Sequence, residues 1–322
     1  MRILRKCAAA FGCLMSLAHP VVQAQSYPTK PIRLISPFPA GGGNDVLARI
    51  VASRMSETIG QPVVVENMAG ASGNIAGSYV ARSQKDGYTL LFPNNTIVAN
   101  PAIATVPFDV LRDFMPVGVV GSTAVVLAVH PDMPVKTVGQ LIELLSKNPQ
   151  KYSYSSCGTG TTMHLAAELL KQQAKVKMTH IAYKGCAPAI IDGLGGHVPI
   201  LFNTNTNVKP QADQGKLRII AIASPTRSSL TPEIPTISET APGVVGDIWS
   251  GVLAPAGTPA SVVAKLNAEL NAALVSPGVK ARLEANHNEV KPTTPVEMGA
   301  LMRDELQRWT KLVKDTGLVV QP

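Results

Sequence analysis

Short runs of β-branched and aliphatic residues alternate with helical apolar patterns along most of this chain, and this alternation constrains the fold more than any other feature. Ile32–Ile35 forms the first run and Val63–Val65 the second. Helical patterns follow each of them, at Val46–Val51 and at Ile75–Val80. Strands that alternate with helices usually pair in parallel, with helices on both faces of the sheet. The sequence therefore predicts an α/β fold.

The alternation continues through a second set of elements, which suggests two lobes. Further strands are predicted at residues 89–92, 125–129, 152–155, 179–181, 199–202, 217–223 and 249–254, and further helices near 138–145, 165–170, 187–194, 259–275 and 295–313. We expect the chain to leave lobe 1 near Gly121 and to return near Gly246. Lobe 1 then comprises residues 25–121 and 246–322, lobe 2 comprises residues 122–245, and the two crossings make a hinge.

The first 24 residues have the composition of an export signal. Three basic residues precede an apolar run from Cys7 to Ala18, and residues 22–24 end the segment with the small-x-small pattern of a cleavage site. The run is shorter than the roughly 20 residues that a membrane span requires. We therefore expect residues 1–24 to be a cleaved signal peptide and the mature chain to be periplasmic.

Composition excludes several classes of protein. Without the signal, 26 basic and 21 acidic residues leave a net charge of +5, the charges are scattered, and aromatic residues make up 4% of the chain. A nucleic-acid binder needs a basic groove and stacking platforms, so we expect no nucleic-acid partner. The histidines show no metal-binding spacing, so we predict no metal and no cofactor. Only Cys157 and Cys186 remain in the mature chain, either as one disulfide or as two free thiols.

A glycine-rich loop follows the first predicted strand and opens directly into a helix. Consecutive glycines let a ligand approach the backbone, and a helix N-terminus offers unpaired N–H groups with partial positive charge. This arrangement suits an anion, most simply a carboxylate. The same residues are also compatible with a purely structural tight turn in which Asn44 or Asp45 caps the helix. The candidate ligand-binding residues of this loop are Phe38, Ala40, Gly41, Gly42, Gly43 and Asn44.

Loops with glycines, hydroxyls and amides follow other predicted strands and should share the same cleft. In the loop after residues 152–155, a threonine can cap the next helix, and the helix dipole favours a neutral His164, either as a donor or as a structural residue. A thiol hydrolase that uses Cys157 and His164 is disfavoured by the oxidising compartment. The candidates are Gly158, Thr159, Gly160, Thr161, Thr162 and His164, together with Asn94, Asn95, Thr96 and Tyr183.

The chain also resembles a known family over nearly everything after Tyr27. The resemblance is carried by ten motifs, at residues 27–28, 30–33, 37–39, 63–67, 70, 73–74, 86–91, 183–185, 215–218 and 253–259. In these motifs the chain resembles the Bug family of extracytoplasmic receptors, relatives of the binding component of tripartite tricarboxylate transporters.

The resemblance implies a type II periplasmic-binding-protein fold, with two lobes of mostly parallel sheets that close at a two-crossing hinge. It implies a receptor, not an enzyme, for a di- or tricarboxylate, an acidic amino acid or an aromatic acid. Its partners would be the permease subunits of a tripartite transporter or, alternatively, a membrane sensor, and we expect a monomer. Many relatives have an aspartate where this chain has Asn203, which favours a plain carboxylic acid over a ligand with an amine.

Overall fold

A computed structural model describes residues 27–316 as a mixed α/β structure, and the predicted signal peptide lies outside the described residues. The strands are β1 Ile32–Ser36, β2 Val63–Asn67, β3 Thr89–Leu91, β4 Phe114–Val129, β5 Ser153–Ser156, β6 Thr179–Ala182, β7 Ile200–Thr204, β8 Arg218–Ile222, β9 Asp247–Pro255 and β10 Glu289–Val290. The helices are α1 Gly43–Ile59, α2 Asn74–Ala81, α3 Thr96–Ile103, α4 Val138–Lys147, α5 Thr162–Ala174, α6 Cys186–Leu194, α7 Asn205–Asp213, α8 Ala260–Val275, α9 Pro277–Ala285 and α10 Pro295–Thr316.

Strand β4 belongs to two sheets and joins them. Its residues 114–124 pair with β9, and its residues 125–129 pair with β7 and β8. In lobe 1, β1 pairs in parallel with β2 and β3, whereas in lobe 2, β5 pairs in parallel with β6 and β7. Strand β9 runs antiparallel to both β4 and β3. Parallel sheets thus flank an antiparallel hinge.

Each lobe has its own apolar core. In lobe 1, Leu34 and Leu90 of the sheet pack against Leu47 of α1 and Leu266 of α8, and all four are at most 2% exposed. A buried leucine contributes about 1.5–3 kcal/mol relative to an exposed one, so these contacts fix α1 on the sheet and with it the loop that leads into α1.

Within residues 27–316, no helix combines the length and apolar content needed to cross a membrane.

The C-terminal helix α10 contributes to both cores. Met298 and Met302 pack in lobe 1, and Trp309 packs among the core residues of lobe 2. Because the apolar face of a helix is one continuous stripe, burying its two halves in different lobes places α10 across the hinge.

A buried carboxylate lies at the centre of that crossing. Glu305 is 4% exposed and accepts hydrogen bonds from Asn95 Nδ2 at 2.7 Å and from the indole N–H groups of Trp249 and Trp309. Burial raises the pKa of Glu305 above its ordinary value. Asn95 Oδ1 in turn accepts from Thr162 Oγ1 of α5 at 3.0 Å, so one polar network connects lobe 1, the hinge and lobe 2.

Candidate functional site

A narrow cavity, which we call the inner cavity, lies between the lobes. Its volume is about 30 Å³, the space of about one water molecule, so the lobes are closed on it and a small acid could enter only when they part. It is lined in lobe 1 by Phe38, Pro39, Gly42, Gly43, Asn44, Leu47 and Asn94, on the hinge strands by Thr123, Ile248 and Ser250, and in lobe 2 by Met163, Cys186, Ala187, Thr204 and Thr206.

Four helices begin at the inner cavity, α1 from lobe 1 and α5, α6 and α7 from lobe 2. Gly42, Gly185 and Thr204 precede α1, α6 and α7, and none of them caps its helix with a side chain. Only α5 is capped, by Thr161. The first N–H groups of a helix carry partial positive charge, so three uncapped ends leave donors that favour an anion.

The glycine loop uses some of its amides and leaves others unused. Gly41 has a left-handed φ of 79°, which directs its N–H to Asp45 Oδ2 at 3.0 Å. Asp45 also accepts from Arg49 and Asn67. Burial alone would raise the pKa of Asp45, but these hydrogen bonds hold it below its ordinary value. In the described part of the chain, no hydrogen bond engages the N–H groups of Gly43 and Asn44, the first two residues of α1.

Gly43 brings the start of α1 against the start of α7. A Cβ atom at Gly43 would lie only 3.2 Å from Cγ2 of Thr206. The positive ends of two helices therefore face each other across the cleft. Like charges repel, so this arrangement is most stable when an anion lies between the two ends.

Three polar side-chain atoms of the lining are buried without a hydrogen-bond partner: Asn44 Nδ2, Thr123 Oγ1 and Thr204 Oγ1. A buried polar atom left unpaired costs about 1–3 kcal/mol. All three can donate a hydrogen bond. Among the described residues that line the cavity, none carries a charge. The site is therefore a neutral cavity rich in donors.

A second cavity of about 230 Å³, the outer cavity, lies at the mouth of the cleft. Phe38, Pro39 and residues 69–73 line it from lobe 1, and residues 157–159 and 182–185 line it from lobe 2. Ser72 donates a hydrogen bond across the mouth to the carbonyl oxygen of Thr159. Ala71 and Ser72 both have left-handed φ, 47° and 52°, a conformation that costs roughly 1–2 kcal/mol per residue. The mouth is thus held by a contact from a strained segment.

Cys157 and Cys186 form a disulfide with their Cα atoms 4.3 Å apart, which decides between the two alternatives left by the sequence. The bond ties the loop after β5 to the start of α6. Asn203 reinforces this junction, because its Nδ2 donates to the Cys186 carbonyl oxygen at 3.3 Å and its Oδ1 accepts from Thr204 N–H at 2.8 Å. Asn203 therefore holds the starts of α6 and α7 together from beneath the cavity and does not line it.

His164 is buried against the second loop. Its Nδ1 accepts the N–H of Gly160 at 3.1 Å, and its ring stacks on His180 with the centroids 3.9 Å apart. Burial lowers the pKa of His164 to about 3 and that of His180 to about 4, so both rings are neutral. His164 braces the loop and lies outside both cavities.

The structure brings part of the predicted set together. The inner cavity contains Phe38, Gly42, Gly43, Asn44 and Asn94, and the outer cavity contains Phe38, Gly158, Thr159 and Tyr183. Outside both cavities lie Ala40, Gly41, Asn95, Thr96, Gly160, Thr161, Thr162, His164 and Asn203.

Sequence reasoning missed several residues of the inner lining. Thr204 is the last residue of strand β7 and Thr206 lies two residues further on, so their position at a strand end was the available signal. Thr123, Ile248 and Ser250 lie within the hinge strands, where no loop marks them.

A larger groove of about 1060 Å³ lies elsewhere on lobe 1, but it is a poorer candidate. It is open to solvent, and two of its cations are already paired, Lys30 with Asp86 and Arg33 with Glu66. The convergence of uncapped helices and unpaired donors occurs at the inner cavity instead.

The chain is similar to known proteins in sequence and in fold. Residues 47–318 match the model of the tripartite tricarboxylate transporter family receptor. The protein BugT of Bordetella pertussis is 36% identical over 300 residues, covering 92% of each chain. A structure from R. palustris with adipate superposes with a TM-score of 0.87 at 35% identity, covering 91% of this chain and 99% of that one. The structure of MatC from Rhodopseudomonas palustris with bound malate superposes with a TM-score of 0.83 at 29% identity, covering 89% of this chain and 100% of that one.

The comparisons also test two of the expectations from the sequence. The α/β periplasmic-binding-protein fold is confirmed by solved structures of that class with TM-scores of 0.83–0.88. The resemblance to the Bug receptors is confirmed by the matched family and by BugT.

Proposed function

This chain belongs to the receptor family of the tripartite tricarboxylate transporters, and on that premise we propose that it captures a small carboxylate in the inner cavity. The captured acid is then presented to the permease subunits of a tripartite transporter. The observation that carries the proposal is the convergence of four helix N-termini, three of them uncapped, on a cavity without a charged lining residue.

The backbone can supply the affinity without an arginine. Each helix end contributes about 0.3–2 kcal/mol toward an anion. Hydrogen bonds to a charged group contribute about 1.5–3 kcal/mol each. A micromolar dissociation constant corresponds to about 8 kcal/mol, which three uncapped helix ends and two or three such bonds can reach. Four donors are available for these bonds, namely the N–H groups of Gly43 and Asn44 and the hydroxyls of Thr123 and Thr204.

Two relatives support the choice of ligand class. Adipate and malate, found in the two R. palustris structures, are both small dicarboxylates. The structural neighbour BugD is a periplasmic binding protein, and the geometry here argues against the hydrolase alternative. The sulfur of Cys157 is bonded to Cys186, and His164 already accepts a hydrogen bond from Gly160. The thiol and the base that a cysteine hydrolase requires are both occupied.

A thermal-shift screen of residues 25–322 against carboxylic acids tests the proposal. A ligand at 100-fold over its dissociation constant adds about 2.7 kcal/mol to the native state, so the melting temperature should rise by several degrees. Absence of a shift with every acid, after refolding to remove any co-purified ligand, would overturn the proposal.

A matched pair of variants locates the site. Thr204→Val removes an unpaired hydroxyl from the cavity lining, and Thr231→Val removes another buried, unpaired hydroxyl that does not line the cavity. We expect calorimetric titration to show weaker binding for Thr204→Val only. Equal affinities for the two variants would place the ligand outside the inner cavity.

A further inference from the structure

The unpaired polar atoms of the inner cavity have one property in common, which is that each can donate a hydrogen bond. Asn44 Nδ2 can only donate, and the hydroxyls of Thr123 and Thr204 can donate as well as accept. The unused N–H groups of Gly43 and Asn44 are donors too.

The side-chain acceptors of the lining amides are already used. Asn44 Oδ1 accepts from Ser36 Oγ at 3.0 Å, and Asn94 Oδ1 accepts from the N–H of Thr96 at 3.1 Å. A ligand that brings its own N–H donors therefore finds neither a carboxylate nor an amide oxygen that is unoccupied.

The nearest acid in the glycine loop is also unavailable. Asp45 is 3% exposed, accepts from Gly41, Arg49 and Asn67, and does not line the cavity. An ammonium group in the cavity would lose its water and meet helix ends of the same sign. A hydroxyl group on the ligand would not be repelled in this way, because it is uncharged and can accept hydrogen bonds from the donors that face it.

We infer that the inner cavity binds carboxylic acids that lack an amine, including hydroxy acids, and rejects the corresponding amino acids. The inference rests on the proposed function and narrows its ligand class. Burying an ammonium with no carboxylate beside it and no unoccupied amide oxygen should cost at least about 100-fold in affinity relative to the matched acid.

Calorimetric titration with matched acids tests this selectivity. Each set has one carbon skeleton and differs only at the carbon beside the carboxylate: succinate, malate and aspartate; adipate and 2-aminoadipate; 3-phenylpropionate and phenylalanine. In the set that binds, we expect the amine-free acids to bind at least about 100-fold more tightly. An amino acid that binds within tenfold of its matched acid would overturn the inference and leave carboxylate capture intact. Failure of every compound in this panel and in the wider acid screen would overturn the proposed function itself.

A single substitution should reverse the preference in part. Asn44→Asp replaces the donor Nδ2 with a carboxylate oxygen, keeps the acceptor for Ser36, and suits the first turn of α1, where an acid is favourable. We expect the amino acid to bind relatively more tightly, so that the preference for the amine-free acid over its matched amino acid falls at least tenfold. Gln150→Glu introduces the same charge at an exposed position and should leave the ratio unchanged. Circular dichroism confirms that both variants fold, and an unchanged ratio in folded Asn44→Asp would overturn the inference.

Discussion

Filling the space at Gly43 should weaken ligand binding without weakening the fold. Gly43 is the first residue of α1, and a Cβ atom there would lie 3.2 Å from Cγ2 and 3.3 Å from Cβ of Thr206 in the other lobe. These distances are shorter than an ordinary van der Waals contact of about 3.5–4.0 Å. The two extra methyl groups of valine would extend further into Thr206. Because the obstruction exists only when the lobes meet, it acts on the closed state.

The magnitude follows from the cost of overpacking, about 1–3 kcal/mol. Since 1.4 kcal/mol is tenfold in an equilibrium constant, we expect the dissociation constant to rise about 5-fold to 150-fold, with Gly43→Ala near the lower bound and Gly43→Val near the upper. Alanine in a helix is favoured over glycine by up to about 1 kcal/mol, so the unliganded Gly43→Ala protein should be at least as stable as the parent.

Titration calorimetry with the best acid from the screen gives the dissociation constants, and stopped-flow mixing separates association from dissociation. Gly278 provides the control, because it also lies in the first turn of a helix but a Cβ there meets nothing within 4 Å. Gly278→Ala and Gly278→Val should bind as the parent does. Parent-like binding by Gly43→Val would refute the reasoning, since it would mean that ligand capture does not bring Gly43 and Thr206 together.

Three further predictions concern the cleft mouth, the buried histidines and the disulfide. Ser72→Ala removes the hydrogen bond to Thr159, worth about 0.5–1.5 kcal/mol, so ligand should dissociate about 2- to 12-fold faster in stopped-flow measurements with little change in association. The pKa values of His164 and His180 are lowered to about 3 and 4 in the folded protein, so the unfolded chain binds more protons than the folded one below pH 6.5. Urea unfolding should therefore show a free energy of unfolding that falls between pH 6.5 and 4, by up to about 1.4 kcal/mol per pH unit for each ring. Reduction of the disulfide, whose cysteines are 29 residues apart, should lower the free energy of unfolding by about 3–4 kcal/mol.

Each of these has an outcome that contradicts it. A Ser72→Ala protein that releases ligand at the parent rate would show that the mouth contact does not hold the closed state. For the histidines, the comparison is the His164→Gln, His180→Gln double variant, and a pH profile as steep as that of the parent would assign the slope to other groups. For the disulfide, equal urea midpoints with and without reductant would remove its role in stability.

The sequence was sufficient for the fold class because the apolar alternation is strong where the strands are buried. It was insufficient where proline or glycine interrupts an element. Helix α7 contains Pro210 and was not predicted, although its start contributes Thr204 and Thr206 to the cavity. Only the last five residues of β4 were predicted, because Pro116 and Gly118 interrupt the apolar pattern at a register shift.

The structure places part of the glycine loop at the inner cavity, but sequence spacing cannot show which amides are already used. From the amino-acid sequence alone, Gly41 and Gly43 are equivalent candidates. In the structure, the N–H of Gly41 binds Asp45, whereas Gly43 faces the other lobe. For His164 the sequence left both a donor role and a structural role open, and its hydrogen bond from Gly160 and its stacking on His180 show that it braces the loop. Placement of the two hinge crossings and the ligand contacts remain predictions.

The carboxylate of Glu305 has a practical consequence for spectroscopy. The chain contains two tryptophans, Trp249 on a hinge strand and Trp309 on α10, and both indole N–H groups donate to this carboxylate. Indole emission depends on the polarity and charge around the ring, and both indoles lie beside the buried Glu305. We therefore expect the intrinsic fluorescence of the unlabelled protein to change when the lobes open or close, so that ligand titrations can be followed without a dye or an engineered cysteine.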